Sequence, residues 1–391
     1  MNMILSKYKN VVVINDFDYA QGGASTVAVE TANGLVEQGL NVVFFSVVHS
    51  DSTTLDKRIK SITINGKEAL QYDNKIEGIM VGIANRECQK RLSLLLKDYS
   101  PENTIIHIHG WTKACSSVVF SVARKMGFKV VLTLHEYFAA CPNGAFLNYK
   151  SNKCCHEIPC SFKCLTTDCD SRNYLFKLYR FIREKRYYRD IDLSAINCIF
   201  VSELQRSLIS KYKKINNYET ICSPIEEIDK DYHGTKKYDF TYIGRSSREK
   251  GISLFLKLAE VMPDKKFLIV GNYRGRTVHN LSTTGWVSEK EVEHYLKDSN
   301  CVIVPSLLPE PFGLVVVKAV AFGIKCLVSD NIGAVDYINS STGLVFEQGN
   351  FEDLKVKARE IEEMPNLERK NVLIRKEDYI CKLIEFYNKA K

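Results

Sequence analysis

Apolar positions along the chain follow two alternating patterns. Short runs of β-branched and aromatic residues predict buried strands, and longer stretches with an apolar residue every three or four positions predict helices. In the first half the predicted elements are strand 10–16, helix 24–38, strand 41–47, strand 104–110, helix 112–126 and strand 129–135. Gly39 and Gly127 follow the two helices, which suits helix C-termini. This alternation predicts a doubly wound parallel sheet with its sites at the C-terminal ends of the strands.

The same alternation returns after the break at Ser223-Pro224. There the predicted elements are strand 239–243, helix 252–262, strand 266–270, helix 289–299, strand 301–304, helix 312–323, strand 325–329, helix 351–364 and helix 376–391. Ser288 is the predicted N-cap of the helix that follows it. Because 391 residues exceed one ordinary hydrophobic core, we predict an α/β protein of two Rossmann-like domains that face a central cleft. The predicted domains are residues 1–222 and 223–375.

The stretch 301–323 carries the most specific candidate chemistry. A loop after its strand delivers the carboxylate of Glu310, and the next helix starts at Phe312. The amides of Phe312, Gly313 and Leu314 would point out of this helix start, where they could bind an anion. A carboxylate beside free helix amides suits a polyhydroxylated ligand that carries phosphate. The plain alternative is an ordinary strand–loop–helix unit.

A second basic loop, Gly244-Arg-Ser-Ser-Arg-Glu-Lys-Gly251, lies between a predicted strand and helix. Arg245 and Lys250 offer two cations beside helix amides, which suits a diphosphate leaving group. The alternative is a solvated basic loop.

Two features of the first half fall at strand ends. The pair Gly22-Gly23 follows the first strand, where it frees backbone amides for phosphate or simply makes a tight turn. His135 ends the strand 129–135, at the sheet edge where sites of open α/β folds occur. His107 and His109 share one face of the preceding strand, and we expect them to line the core or the cleft.

Composition and charge narrow the class of protein. The chain is 45% hydrophobic and 26% charged, as in soluble globular proteins, and no apolar run approaches the roughly 18 residues that span a bilayer. The start of the chain reads as a strand rather than a signal peptide, so we expect a cytoplasmic protein. A net charge of +8 favours anionic partners, namely nucleotides, phospholipid or nucleic acid.

Cysteines are concentrated in the segment 141–169. In a reducing compartment such a cluster favours a metal over disulfides, and a structural zinc needs about four ligands. The predicted ligands are Cys141, Cys155, Cys164 and Cys169, with Cys160 and His156 in reserve. The segment has no Cys-x-x-Cys spacing, and a loop of free thiols is the alternative.

The segment 172–189 reads as a helix rich in cations and aromatic residues, with Glu184 as the only nearby acid. Its cations are Arg172, Lys177, Arg180, Arg183, Lys185, Arg186 and Arg189. Such a helix suits an anionic membrane surface. Nucleic acid would use the same charge, but no base-reading motif accompanies it, and we predict no nucleic-acid partner. The alternative is a packed helix with a solvated basic face.

The motifs of the second half resemble those of the retaining, GT-B-fold glycosyltransferases of family 4. The matching residues are Gly244, Arg245, Lys250, Gly251, Gly285, Trp286, Pro305, Ser306, Glu310, Phe312, Gly313, Ala319 and Gly323. The resemblance covers nearly the whole chain and is strongest over residues 238–346. It implies transfer of a sugar from a nucleotide-sugar to an acceptor hydroxyl with retention, without a catalytic metal. It also implies a last helix, 376–391, that returns to the first domain.

The resemblance assigns roles residue by residue. Glu310 would hold the donor sugar's hydroxyls, and His135 would position the sugar and the acceptor. Donor binding falls to Gly22, Gly23, Arg245, Lys250, Trp286, Pro311, Phe312, Gly313, Leu314 and Lys318. Many relatives glycosylate lipid-linked acceptors on the inner leaflet. The implied setting is therefore surface-polysaccharide synthesis, such as O-antigen or capsule, by a peripheral protein on the inner face of the plasma membrane.

Lys318 departs from the family pattern, which has a second glutamate there to accept hydrogen bonds from the ribose hydroxyls. An ammonium only donates. Three explanations stay open: Lys318 binds phosphate, the donor lacks a ribose diol as a thymidine-diphosphate sugar does, or activity has been lost. The last explanation makes the protein a silent membrane-bound scaffold, and a sugar-nucleotide epimerase on the same plan is a weaker alternative.

Overall fold

The computed structural model of the chain describes residues 6–225, 235–365 and 375–391. Its strands are β1 Asn10–Ile14, β2 Asn41–Ser46, β3 Lys60–Thr63, β4 Thr104–Ile108, β5 Lys129–Leu134, β6 Leu147–Asn148, β7 Lys153–Cys154, β8 Asn197–Phe200, β9 Asn217–Thr220, β10 Tyr238–Ile243, β11 Phe267–Val270, β12 Leu281–Thr283, β13 Ser299–Val304, β14 Lys325–Ser329 and β15 Gly343–Phe346. Its helices are α1 Gly23–Glu37, α2 Lys75–Ile83, α3 Arg86–Leu96, α4 Val118–Lys125, α5 Phe162–Thr166, α6 Tyr174–Asp190, α7 Glu203–Ser210, α8 Ile252–Val261, α9 Glu289–Lys297, α10 Leu314–Ala321, α11 Phe351–Glu363 and α12 Lys376–Asn388.

The described residues divide into two compact units. The first contains the described parts of residues 1–145, 157–224 and 374–391, and the second those of residues 146–156 and 225–373. The predicted end of the second domain at residue 375 adjoins residues 366–374, which lie outside the described residues.

A parallel sheet in the order β3-β2-β1-β4-β5-β8-β9 forms the centre of the first unit. Its central strands are buried and apolar, as in sheets covered on both faces. Helix α12 belongs to this unit, because its side chains enter the same core as α1. Two hydrogen bonds tie it there: the Tyr379 hydroxyl lies 2.9 Å from Thr31 Oγ1, and the Tyr387 hydroxyl 2.6 Å from His107 Nδ1.

The second unit has its own parallel sheet, in the order β12-β11-β10-β13-β14-β15. Its core contains Phe240, Phe255 and Phe267, and the ring of Phe267 contacts both of the others. The antiparallel hairpin β6–β7 also belongs to this unit, where Cys154 Sγ lies 3.3 Å from the side-chain amide of Gln348. Two parallel α/β sheets confirm the predicted fold class.

Helix α4 begins later than the sequence pattern predicts. It starts at Val118 rather than at residue 112, because the carboxylate of Asp16 accepts hydrogen bonds from the amides of Lys113, Ala114 and Cys115 at 2.8–3.0 Å. A turn therefore replaces the first part of the predicted helix.

Several elements have no counterpart in the sequence prediction. They are β3, α2, α3, β6, β7, α5, β8, α7, β9, β12 and β15. Every strand among them has four residues or fewer, which is too short for a periodic pattern to identify. Among the described residues, no helix has both the length and the apolar character that a membrane crossing requires.

Candidate functional site

The second unit contains a cavity of about 240 Å³ at the C-terminal ends of β10 and β13, here called the Glu310 pocket. Its lining consists of Tyr242, Ile243, Gly244, Arg245, Lys250, Ile303, Val304, Glu310, Gly313, Leu314, Val315 and Val316. The structure thus brings Arg245, Lys250, Glu310 and the start of α10 into one cavity. Lys250 Nζ lies 3.0 Å from Glu310 Oε2, and both side chains are mostly buried, with 27% and 13% exposure.

Backbone pairing fixes the position of Glu310. Its amide donates to Asn331 O at 3.0 Å, and its carbonyl accepts from the amide of Gly333 at 3.0 Å. These two bonds join the loop after β13 to the loop after β14. The backbone of Glu310 is therefore held at the sheet edge by pairing between two loops.

The loop that carries Lys250 is attached to the same edge. The carbonyl of Glu249 accepts hydrogen bonds from the amides of Leu307 and Leu308 at 2.9 and 3.2 Å. Gly251 has φ +74°, and a Cβ added there would lie 1.7 Å from the carbonyl oxygen of Pro305. Only glycine permits this approach, which places Lys250 within reach of Glu310.

The start of α10 supplies backbone donors to the pocket. The helix begins at Leu314, two residues after the predicted start, and Gly313 with φ +109° is its N-cap. A Cβ on Gly313 would lie 2.7 Å from Ile332 Cγ2, so a side chain would collide with the loop that pairs with Glu310. Gly313, Leu314 and Val315 line the cavity, where the positive end of the helix dipole favours an anion.

Four predicted donor-binding residues of the second unit do not line the Glu310 pocket. The ring of Phe312 is 6% exposed and packs edge-on against Tyr337, so this residue supports the loop rather than the cavity. Trp286 is 79% exposed, and its amide donates to Asn272 Oδ1 at 3.1 Å. Pro311 lies in the loop beside the cavity, and Lys318 lies one turn into α10 and is half-buried.

A separate cavity of about 240 Å³ lies in the first unit and is here called the His135 pocket. It is lined by Asn15, Asp16, Phe17, Gln21, Gly22, Gly23, Ala24, Ser25, His109, Gly110, Trp111, Thr112, Lys113, Leu132, Thr133, Leu134, His135, Glu136, Phe138 and Ala139. Gly22, Gly23 and His135 thus meet at the C-terminal ends of β1, β4 and β5. Gly22 has φ +81° and caps α1.

His135 is paired with a second histidine. Its Nε2 lies 3.0 Å from His109 Nδ1, and the two rings are stacked. Burial lowers the pKa of His135 to about 4 and that of His109 well below its usual range. Both rings are therefore neutral near pH 7, so this pair can exchange hydrogen bonds with hydroxyl groups without adding charge.

The sequence analysis missed Asp16, which is 3% exposed and lines the His135 pocket. Its carboxylate organises the turn before α4 by accepting three backbone amides. These amides lie about a hundred residues along the chain, so local patterns could not reveal the contact. The only sequence signal is an acid just after a buried strand.

The structure does not bring the four predicted zinc ligands together as a metal site. Cys155 belongs to the second unit, whereas Cys141, Cys164 and Cys169 belong to the first. Throughout the described ranges, no group of three or more His, Cys, Asp or Glu side chains is placed to hold a metal ion.

A lysine lies between two of these cysteines instead. Lys177 Nζ lies 3.3 Å from the sulfurs of both Cys164 and Cys169, and the residue is 1% exposed. Burial opposes its charge, yet the sulfurs of Cys169 and Cys164 raise the pKa of Lys177 above its usual range. The side-chain amide of Asn143 also donates to Cys169, at 3.5 Å. An ammonium group thus links these cysteines.

Much of the predicted basic face of α6 is buried. Arg183 is 6% exposed, and Arg180 pairs with the buried Asp170 at 3.2 Å. Arg186 pairs with Asp190 at 2.9 Å. The expectation that Glu184 is the only nearby acid is therefore wrong, because two aspartates bind cations of this helix.

Glu184 itself does not lie on the solvent face. It is fully buried, and burial raises its pKa to about 8, which keeps it neutral near pH 7. Exposed charge on the segment 172–189 comes from Arg172, just before α6, and from Lys185 and Arg189 on the helix.

Comparison with known proteins shows that the sequence of the second unit matches a protein family. Residues 224–376 match the family model described as "Glycosyl transferases group 1". The chain therefore contains a group 1 glycosyl transferase domain, which includes the Glu310 pocket.

A relative and two solved structures are similar to this protein over most of the chain. An "Uncharacterized 42.6 kDa protein in cps region" of Klebsiella pneumoniae is 22% identical over 350 residues, which cover 83% of this chain and 86% of that protein. Sucrose-phosphate synthase from Thermosynechococcus elongatus has a TM-score of 0.68 at 16% identity, over 97% of this chain and 98% of that one. Anabaena HepE in complex with UDP and glucose has a TM-score of 0.60 at 12% identity, over 98% of each chain. These likenesses agree with the predicted GT-B fold of two Rossmann-like domains.

Proposed function

We propose that this protein is a retaining glycosyltransferase that moves a sugar from a nucleoside-diphosphate sugar to an acceptor hydroxyl in capsule or related surface-polysaccharide synthesis. The group 1 domain and the relative from a cps region support the activity and its setting. The similar fold of HepE, in complex with UDP and glucose, supports a nucleotide-sugar donor.

One observation carries this proposal: the Lys250–Glu310 pair at 3.0 Å inside a cavity that also contains Arg245 and the N-terminus of α10. The cavity contains the Lys250 ammonium, which suits phosphate, and the Glu310 carboxylate, which suits sugar hydroxyls. A carboxylate accepts hydrogen bonds from hydroxyls, and an ammonium binds phosphate oxygens. A sugar joined to a diphosphate needs both.

A diphosphate leaving group would account for the two cations in the Glu310 pocket. As the bond between the anomeric carbon and the diphosphate breaks, negative charge collects on the diphosphate oxygens and the sugar becomes oxocarbenium-like. Lys250, Arg245 and the amides at the start of α10 would stabilise that charge where it develops. Lys250 has three N–H donors, so it can retain Glu310 while it binds a phosphate oxygen.

The His135 pocket is the proposed acceptor side. His135 and His109 are neutral near pH 7, so His135 would orient a sugar hydroxyl by hydrogen bonding. Gly22 and Gly23 line the same pocket, and because they have no side chains, a bound sugar could approach their backbone closely. The acceptor is a saccharide or a lipid-linked oligosaccharide at the inner face of the plasma membrane, and the net charge of +8 favours such an anionic surface.

Lys318 affects how the ribose of the donor nucleotide could be bound. In the resembling family a carboxylate at this position binds the ribose hydroxyls, which Lys318 cannot do. The proposal therefore favours a donor whose ribose is bound elsewhere or that lacks the diol. The same residue favours the second candidate, a silent scaffold on this fold.

The direct test measures nucleotide release by the full chain from UDP-, GDP- and dTDP-sugars, with and without lipid-linked acceptors. Acceptor-dependent release from one donor is expected, with retention visible in the anomeric proton couplings of the product. Absence of release and of nucleotide binding with every donor would favour the scaffold. Conversion of the sugar without acceptor would instead indicate an epimerase.

A further inference from the structure

The first unit contains a buried lysine between two cysteines, and Lys177, Cys164 and Cys169 are here called the Lys177 cluster. Lys177 Nζ lies 3.3 Å from the sulfur of each cysteine, and the three residues are 1%, 6% and 4% exposed. Asp170, the acid next to Cys169, pairs instead with Arg180 Nε at 3.2 Å. In the part of the chain that the structure describes, the Lys177 ammonium therefore donates its hydrogen bonds to sulfur. Because burial of an ammonium costs free energy unless it has polar partners, the two sulfurs stabilise Lys177 inside the protein.

Local structure holds each member of the Lys177 cluster in place. Ser161 Oγ caps α5 and accepts a hydrogen bond from the amide of Cys164 at 3.1 Å. The side-chain nitrogen of Asn143 lies 3.3 Å from the carbonyl oxygen of Cys169 and 3.5 Å from its sulfur. Lys177 lies in the first turn of α6. The nitrogen and the sulfurs are thus held within the roughly 3–3.5 Å at which reacting atoms are poised for bond formation.

Sulfur and nitrogen in such contact can form a bond when the sulfur is oxidised. Hydrogen peroxide converts a thiol to a sulfenic acid, whose sulfur is electrophilic and condenses with a neighbouring thiol or nitrogen. We propose that Lys177 is a modification site, at which hydrogen peroxide joins the lysine nitrogen to the sulfur of Cys164 or Cys169 as a sulfenamide. This modification does not depend on the proposed glycosyl transfer.

The cross-link forms in two steps. In the first, one thiol is oxidised to a sulfenic acid, and one hydrogen peroxide is reduced and releases one water. In the second, the Lys177 ammonium gives one proton to solvent, and its nitrogen displaces the hydroxyl group from the sulfur. An S–N bond forms, the S–O bond breaks, and the hydroxyl group leaves as water with a second proton from the nitrogen. Dithiothreitol reverses the modification, because it is oxidised to its disulfide and returns the lysine amine and the cysteine thiol.

The Lys177 cluster lies close to the protein surface. Cys164 and Cys169 keep a small exposed fraction, and Phe162, two residues before Cys164, is 80% exposed. Hydrogen peroxide is a small molecule, so local opening of the short helix α5 is enough to admit it. The new bond would attach the segment before α6 covalently to that helix.

Mass spectrometry of the full chain after brief treatment with hydrogen peroxide tests the proposal. Free thiols are alkylated with iodoacetamide in denaturant, and the chain is then digested with trypsin. Both cysteines fall in one tryptic peptide, 164–172, and Lys177 ends the next peptide, 173–177. We expect peptide 164–172 joined to peptide 173–180, with a loss of two hydrogens, one alkylated thiol and no cleavage after Lys177. Dithiothreitol added before alkylation should restore the separate peptides.

Three controls isolate the contact between nitrogen and sulfur. Lys177→Arg keeps the positive charge but removes the amine, so the cross-link should be lost. Cys160→Ser changes a half-buried cysteine of the same segment and should give the wild-type amount of cross-link. Wild type unfolded in urea before the peroxide should lose the cross-link, because only the folded chain holds Lys177 between the sulfurs. Circular dichroism of each variant checks that the chain has folded.

A disulfide within peptide 164–172, with normal cleavage after Lys177, would overturn the proposal. So would a sulfinic acid or an unmodified thiol at both cysteines without a cross-link, or equal cross-linking of the folded and unfolded chains. Each of these outcomes is read from wild type alone, so a variant that fails to fold leaves the test intact. No donor or acceptor is present, so the result is also separate from success or failure of the proposed glycosyl transfer.

Discussion

At the residue scale, Gly251 controls how closely the Lys250 loop approaches the end of β13. Gly251→Ala would force a Cβ to within 1.7 Å of the Pro305 carbonyl oxygen, in addition to the strain of φ +74°. Gly39→Ala is the matched control, because it has a similar φ of +84° with nothing within 4 Å of the added Cβ. We expect about 1 kcal/mol of destabilisation for the control and more than about 3 kcal/mol for Gly251→Ala in urea unfolding. Equal losses would show that the close approach is unimportant.

The Lys250–Glu310 pair is the residue-scale basis of the proposed chemistry. Lys250→Met is expected to lower kcat/KM by about 100-fold, because it removes a cation that stabilises charge on the leaving diphosphate. Glu310→Gln should lower kcat/KM as well. In the double variant the loss should be smaller than the product of the two single losses, since the side chains are in contact. Steady-state nucleotide release measures both.

Lys355→Met provides the control for this experiment. Lys355 lies on α11 and binds Glu352, away from the Glu310 pocket. The rate of nucleotide release by Lys355→Met should match that of wild type. Full activity in Lys250→Met, or an equal loss in the control, would remove the Glu310 pocket from the reaction.

Lys318 should influence which nucleotide the protein prefers. Lys318→Glu restores an acceptor for ribose hydroxyls, so we expect a shift toward nucleotides with a 2′,3′-diol, such as UDP over dTDP. The measurement is the ratio of release rates from UDP- and dTDP-sugars. An unchanged ratio would place Lys318 outside the nucleotide site.

At the element scale, α12 completes the first unit. Tyr379, Ile380, Leu383, Ile384, Phe386 and Tyr387 are at most 2% exposed. Their burial contributes about 10 kcal/mol, which is comparable to the whole stability of a domain. Deletion of residues 375–391 should therefore prevent folding of the first unit, as seen by circular dichroism and proteolysis. Deletion of residues 389–391 alone should preserve it, and a stable, protease-resistant chain without α12 would contradict this account.

Elements with strong periodic patterns were predictable from sequence. The central strands and α1, α8, α11 and α12 fall close to their predicted bounds, because buried runs and amphipathic stretches determine them locally. The start of α4 was not predictable, since it depends on Asp16, far away in the sequence. The Arg186–Asp190 pair, by contrast, has i,i+4 spacing on one helix and was accessible from the sequence. The contacts of Arg180 with Asp170 and of Lys177 with two cysteines depend on how the irregular segment before α6 folds, which the sequence pattern does not determine.

The candidate site was predictable to a similar degree. Motif residues Arg245, Lys250, Glu310 and Gly313 do line one cavity, because strand-end loops of a parallel sheet share one edge. The supporting contacts, such as the Glu249 carbonyl that binds the next loop, involve backbone atoms, which leave no signature in the sequence.

At the scale of the whole molecule, the buried His107 and His109 and the half-buried His135 make stability depend on pH. Burial lowers the pKa of His107 to about 3, that of His135 to about 4, and that of His109 well below its usual range. An unfolded histidine has a pKa of about 6.5, so the unfolded chain binds more protons below that pH. The stability that these histidines contribute should therefore be present above pH 6.5 and be lost as the pH decreases toward 4. Each histidine contributes at most about 1.4 kcal/mol per pH unit.

Urea midpoints at pH 7.5, 6.5 and 5.5 measure this dependence. His135→Asn should reduce the slope between pH 6.5 and 5.5, whereas His279→Gln, which changes an exposed histidine of the second unit, should leave it unchanged. A wild-type midpoint that is constant over this range would contradict the account.

The central claim is that the Glu310 pocket binds the diphosphate of a nucleotide-sugar. Calorimetric titration of the full chain with UDP, GDP and dTDP tests it most directly. We predict that at least one nucleotide binds, that Lys250→Met raises its Kd by about tenfold or more, and that Lys355→Met leaves it unchanged. Absence of binding by all three nucleotides, or equal affinity in wild type and Lys250→Met, would contradict the claim.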